Sequence, residues 1–174
     1  HDLILKEDLT VGVDTNDNAV FNGNVNIENT DLVIRGTDLD PMSIGRGGGA
    51  VSTNTRVGVS ALNANTSGSQ NTAIGYQALL TNNVGASNTA IGNRALRVAG
   101  IASNNIAIGK DVMLVTLSGG KNVAIGNNAM ESNQTGSANV CIGHYAGYDV
   151  LGSGNVLIGP ADNETSADVT FRPP

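Results

Sequence analysis

Residues 72–88, TAIGYQALLTNNVGASN, are followed by TAIGNRALRVAGIASNN (89–105), IAIGKDVMLVTLSGGKN (106–122) and VAIGNNAMESNQTGSAN (123–139), which align residue for residue. A related TRVGVSALNANTSGSQN (55–71) precedes them, and a 16-residue VCIGHYAGYDVLGSGN (140–155) and a fading VLIGPADN (156–163) follow. The glycine after the apolar triplet falls at 58, 75, 92, 109, 126 and 143, always 17 apart, and then at 159. A fixed period this short reads as stacked turns of one solenoid, each burying its apolar side chains against its neighbours.

Composition agrees with an extended β-structure. The 174 residues include no Trp, 3% aromatics and 14% charged residues, against about 25% charged in ordinary globular chains. Apolar residues reach 40% and sit at fixed places in the repeat, a regularity that disordered chains lack. The net charge of −6 resides in residues 1–50, with nine acids and three bases; residues 51–174 hold six of each. No basic stripe is available for a nucleic-acid backbone. Nothing approaches the ~20 consecutive apolar residues of a membrane span, so no membrane insertion is expected. The chain opens on His1 and shows no signal-peptide core, which reads as a piece or a processed product. The single cysteine, Cys141, takes an alanine place in the repeat and reads as a small buried hydrophobe.

Four regions follow: a lead-in of short β-strands (1–36), a hinge and N-terminal cap (37–54), the repeat solenoid (55–163), and a C-terminal cap or linker (164–174). In the lead-in, Leu3-Ile4-Leu5, Leu9 to Val13, Ala19-Val20-Phe21, Asn24 to Ile27 and Leu32-Val33-Ile34 are separated by Asn, Asp and Gly. Such runs read as short strands of a shaft shared by several chains. Ser43-Ile44-Gly45 looks like a degenerate repeat, out of phase with Gly58.

Counting each repeat from the residue before its first alanine makes Thr72 position 1. Position 3 (Val57, Ile74, Ile91, Ile108, Ile125, Ile142) and position 8 (Leu62, Leu79, Leu96, Met113, Met130) are expected to stack as two aliphatic columns inside the coil. Neighbouring residues on a strand face opposite ways. The alanines at position 2 (Ala73, Ala90, Ala107, Ala124) and position 7 (Ala78, Ala95) are therefore expected on a second face, where a sister chain approaches closely. Two or three large apolar groups per repeat, at roughly 1.5–3 kcal/mol each, fall short of ~1–2 kcal/mol of backbone entropy per residue. Self-association is the expected remedy. The asparagine closing each repeat (Asn71, Asn88, Asn105, Asn122, Asn139) predicts an amide ladder.

The motifs NTAIGYQAL (71–79), SNTAIGNRAL (87–96), NNIAIG (104–109) and NVAIGNNAM (122–130) resemble the repeats of YadA-type trimeric autotransporter heads and of phage tail fibres and related virion appendages. The lead-in DLTVGVDTNDNAVFNGNVNIENTDLVIRG (8–36) looks closer to the phage group. The resemblance covers about 105 residues and implies a homotrimeric β-solenoid, or β-roll, wound about a threefold axis. It implies a non-enzymatic rod in a virion tail, with itself, other tail proteins and a host glycan or protein receptor as partners. A bacterial surface adhesin is the near alternative.

Sharper chemistry finds little support. Asp14-x-Asn16-x-Asn18 starts like a calcium loop but has Ala19 and Val25 where Gly and Glu belong. Gly45 to Gly49 lacks the Lys-Ser/Thr of a phosphate cradle. No cofactor or metal is expected. Glu131 and Asp149, one coil plus one residue apart, are the pair a polysaccharide-cleaving tailspike would need, without the usual aromatic platforms. An ice-binding solenoid would need Thr at position 1 throughout, but Thr55, Thr72 and Thr89 give way to Ile106 and Val123. His144, Tyr145 and Tyr148 form the one aromatic cluster and are the candidate receptor contacts.

Overall fold

The computed structural model describes residues 32–34, 42–45, 51, 53–150 and 152–160. Nine short strands lie in one sheet in chain order: β1 (Leu32–Ile34), β2 (Met42–Gly45), β3 (Thr55–Val57), β4 (Thr72–Ile74), β5 (Thr89–Ile91), β6 (Ile106–Ile108), β7 (Val123–Ile125), β8 (Val140–Ile142) and β9 (Val156–Ile158). From β3 to β9 the pairing is parallel and joins like to like, with Thr72 opposite Thr89, Ala90 opposite Ala107 and Ile108 opposite Ile125. These seven strands make a β-solenoid of about six turns, with no helix among the described residues. Ser43-Ile44-Gly45 belongs to no turn of it: β2 runs antiparallel to β3, with Ile44 opposite Val57, and β1 pairs antiparallel with β2. The first coil's open edge is thereby hydrogen-bonded. The other lead-in runs, the Asp14 loop, Arg46 to Gly49 and residues 164–174 lie outside the described residues.

Each strand from β3 to β9 stops after three residues because position 4 is a glycine with φ between +128° and +137°, a region closed to L side chains. In each of the five 17-residue coils three further corners are left-handed without glycine, as at Gln77 (φ 54°), Leu79 (φ 49°) and Ser87 (φ 58°). Each costs roughly 1–2 kcal/mol alone. Coil-to-coil bonds hold them: the Leu79 amide donates to the Ala95 carbonyl at 3.0 Å, and the Ser87 amide to the Ser69 carbonyl at 2.9 Å.

The strand's two faces are reversed relative to the sequence reading. Ala73, Ala90, Ala107, Ala124 and Cys141 point inward and are 0% exposed, whereas Ile74 (37%), Ile125 and Ile142 (36% each) lie outside. Ala78 and Ala95, at position 7, are also fully enclosed within the single chain. None of these alanines is free to meet a sister chain. The reason is volume. The buried column Leu62, Leu79, Leu96, Met113, Met130 fills the narrow coil, leaving position 2 room for a methyl group. Where position 8 becomes Gly147, position 2 becomes Cys141, and a Cβ on Gly147 would lie 2.5 Å from the Cys141 sulfur. The two positions share one space.

Asparagines fasten the coils. Asn71, Asn88, Asn105, Asn122 and Asn139 are at most 1% exposed. Each Oδ1 accepts the backbone N–H of the next ladder asparagine, for example Asn88 from Asn105 at 3.0 Å. Each Nδ2 donates to a position-14 carbonyl one coil on, as Asn71 does to Gly85 at 2.9 Å. Asn54 and Asn155 extend the ladder at its ends.

A second, broken ladder runs through position 11. Asn82 Nδ2 donates to Asn65 Oδ1 at 3.0 Å and to the Gly85 carbonyl at 2.8 Å. A Cβ on Gly68, Gly85 or Gly136 would sit 2.2 Å from a carbonyl oxygen of the next coil, and 2.6, 2.4 or 2.5 Å from the Oδ1 of Asn65, Asn82 or Asn133 respectively. The next coil's backbone and the position-11 amide together leave no room for a side chain at position 14. Coil 89–105 instead pairs Ala99 with Ala102, both buried, and Asn82 Oδ1 has no hydrogen-bond partner. Ala99→Asn alone is expected to lose ~1–3 kcal/mol by overpacking. Adding Ala102→Gly should recover most of it, a coupling of about 1 kcal/mol or more in a denaturation double-mutant cycle. Strictly additive losses would refute the pairing.

Candidate interaction surfaces

Three surface features stand out on this scaffold. The first is the outer face of the parallel sheet. Position 3 presents Ile74, Ile91, Ile108, Ile125, Ile142 and Ile158 in one file, half-buried or exposed. Position 1 runs beside it from Thr72 and Thr89 to Ile106, Val123, Val140 and Val156. Ile106 is 39% and Ile158 55% exposed. The in-register pairing makes these files straight, so the apolar strip is continuous along the rod.

The second feature is the edge formed by positions 5 to 9, one corner away. Position 5 places Tyr76, Asn93, Lys110, Asn127 and His144 on successive coils, all exposed. Behind them, Arg94 and Asp111 occupy the same place in adjacent coils. Arg94 Nε lies 2.6 Å from Asp111 Oδ1, and Arg94 Nη2 donates to Oδ2 at 2.8 Å. Asp111 is only 4% exposed, so the ion pair with its one hydrogen bond compensates a carboxylate withdrawn from water. The hydrogen bond to Asp111, then its charge, raises the Arg94 pKa above its already high usual value. Lys110 Nζ stands 3.5 Å from the same carboxylate, with 61% of its side chain exposed.

His144, Tyr145 and Tyr148 come together at the C-terminal end of this edge. The His144 and Tyr145 rings meet edge to face at 4.3 Å, and Tyr145 and Tyr148 are 5.6 Å apart. Tyr76, 45% exposed, marks the other end and was not singled out from the sequence. The signal was available, because Tyr76 and His144 stand four 17-residue repeats apart.

A third, smaller patch stacks Val84 (49% exposed), Ile101 (62%) and Leu117 (44%) at the far corner. A nearby depression of about 300 Å³ is lined by Ile101, Ser103, Asn104, Ser118, Gly120, Lys121 and Ser137, and another of about 310 Å³ lies against Ser132 to Gly136, Val150 and Gly152. Neither is lined by Glu131 or Asp149. Glu131 Oε2 accepts a hydrogen bond from Asn128 Nδ2, and Asp149 is exposed. Among the described residues no group of three or more His, Cys, Asp or Glu side chains could hold a metal ion, and no helix is long and apolar enough to cross a membrane.

Comparison of the chain with known protein families, with characterised proteins and with solved structures finds no match.

Proposed function

We propose that the chain is a structural and adhesive segment of a homotrimeric rod with 17-residue coils, of the kind found in phage tail fibres and other virion appendages. The observation that carries this reading is the straight apolar strip on the outer sheet face. An isoleucine file left more than a third exposed at Ile74, Ile125 and Ile142 marks an association surface rather than a solvated one. Three copies meeting along that strip cover it on each other and leave the position-5 edges outward. A rod about 30 Å long, from six to seven coils at ~4.8 Å each, displays every surface file three times. Weak contacts to a host surface are then multiplied by avidity. The part assigned to the chain is mechanical and adhesive, without catalysis, and a bacterial surface adhesin would use the same architecture.

Mass in solution tests the reading. The intact chain is expected at three times its 17.6 kDa by light scattering. Ile125→Lys, which puts three ammonium groups into the shared strip, should reduce the trimer to single chains at micromolar concentration. A wild-type chain that stays monomeric and well folded would refute the trimer.

A further inference from the structure

The edge at positions 5 to 9 gathers chemistry that the rest of the solenoid lacks. All three tyrosines of the chain, Tyr76, Tyr145 and Tyr148, stand on it with His144. Of the five Lys and Arg among the described residues, three are there, Arg94, Arg97 and Lys110, together with two acids, Asp111 and Glu131. The remaining surface files are mostly Ser, Thr, Asn, Gly, Ala and aliphatic side chains. Stability does not require this segregation, because coils with Asn93 or Asn127 at position 5 close as well as those with Tyr76 or His144.

We infer that this edge is a binding track for a linear acidic glycan lying parallel to the rod axis. The inference rests on the adhesive reading above and gives it a site and a ligand class. Parallel in-register stacking spaces the position-5 side chains by ~4.8 Å, close to the advance of one sugar ring along an extended glycan. Tyr76 and the His144–Tyr145 pair lie four strand spacings apart, about 19 Å, and offer ring faces for the apolar side of a sugar at each end of the track. Asn93 and Asn127 between them offer amides to hydroxyl groups. Asn127 Oδ1 already accepts the Lys110 backbone N–H at 2.9 Å, which leaves its amino group to point at a ligand.

The acidic preference comes from Lys110. Arg94 forms an ion pair with Asp111 and hydrogen-bonds its Oδ2, so Asp111 is largely neutralised before Lys110 is counted. Those three groups sum to one positive charge, Arg97 and Glu131 at position 9 offset each other, and the remaining charge sits on a side chain 61% exposed in the middle of the track. A glycan carboxylate is the anion that this placement suits. The interaction is solvent-exposed and weakened by salt, so useful affinity depends on three tracks acting together.

The intact wild-type protein would be applied to an array of purified linear glycans, acidic and neutral, alongside Tyr76→Ala, Lys110→Gln and the control Lys121→Gln. Signal confined to acidic glycans is expected. It should fall about tenfold or more with Tyr76→Ala or Lys110→Gln, and should be unchanged with Lys121→Gln. Unaltered circular dichroism and mass in solution would exclude misfolding as the cause. Acidic-glycan binding insensitive to Tyr76 and Lys110 would overturn the track while leaving an adhesive rod standing. Binding to no glycan by a protein of trimeric mass would overturn the track and the glycan class together. A monomer would remove the adhesive reading itself.

Discussion

Replacing Gly92 by alanine should cost about 3–5 kcal/mol, as strain of ~1–3 kcal/mol adds to orphaned buried backbone groups at ~1–3 kcal/mol each. Gly92 has φ +135°, and a Cβ there would lie 2.2 Å from the Gly109 carbonyl oxygen and 2.7 Å from its carbon. Both atoms are backbone of the next coil, so no rotamer change relieves the contact. The two coils must separate, and the Gly109 N–H to Ile91 carbonyl bond of 2.9 Å is the first in the way. In a stacked array each coil depends on its neighbours. The defect therefore splits the solenoid near its middle, and denaturant unfolding should lose cooperativity as well as midpoint.

A control separates clash from strain. Gly152 also has a left-handed φ, +96°, but nothing lies within 4 Å of a Cβ placed on it. Gly152→Ala should show conformational strain alone, near the lower end of the ~1–3 kcal/mol range. Equal losses for Gly92→Ala and Gly152→Ala would show that close stacking of the glycine file is not what fixes residue type at position 4.

That file was legible in the sequence because parallel in-register stacking demands the same residue at the same place in every turn. The same logic exposed the Asn71 to Asn139 ladder and the Leu/Met column. The facing of the strand was not legible. Alternation in Thr-Ala-Ile separates two faces but does not say which is enclosed, and the rule that larger side chains go inside misleads when the opposite wall already fills the coil. One local signal could have corrected it. Gly147 and Cys141 depart from the repeat in the same coil, one losing the volume that the other gains. The Asn65, Asn82, Asn133 ladder was obscured because Ala99 and Thr116 interrupt it, and the glycine three residues on, at 68, 85 and 136, does not mark it because Gly119 follows Thr116 in the same way. Oligomeric state lies deeper still, since it depends on how an exposed strip is covered, and the repeat reports that strip only once the facing is known.

The central asparagine ladder yields the second large effect. Asn105 is 0% exposed. Its Oδ1 accepts the Asn122 backbone N–H at 3.0 Å, and its Nδ2 donates to the Gly119 carbonyl at 3.0 Å. Asn105→Ala leaves both backbone groups buried without partners and opens a small cavity, so a loss of about 2–5 kcal/mol is expected at ~1–3 kcal/mol per orphaned group. Asn105→Asp distinguishes hydrogen bonding from packing because it keeps the shape. Ionised, it still accepts from Asn122, but its second oxygen faces the Gly119 carbonyl, and the charge is desolvated. Protonated, it can donate to that carbonyl as the amide does. Its folded pKa is therefore raised above the unfolded value of about 3.9. The folded state binds the extra proton, so the stability contributed by the protonated acid is full below the unfolded pKa and is lost as pH rises through the folded one. Denaturation midpoints of Asn105→Asp, taken relative to wild type at each pH, should improve on acidification, while those of Asn105→Ala stay level. A level profile for both variants would mean that the amide's donor contributes little, and that the ladder is held by backbone stacking instead.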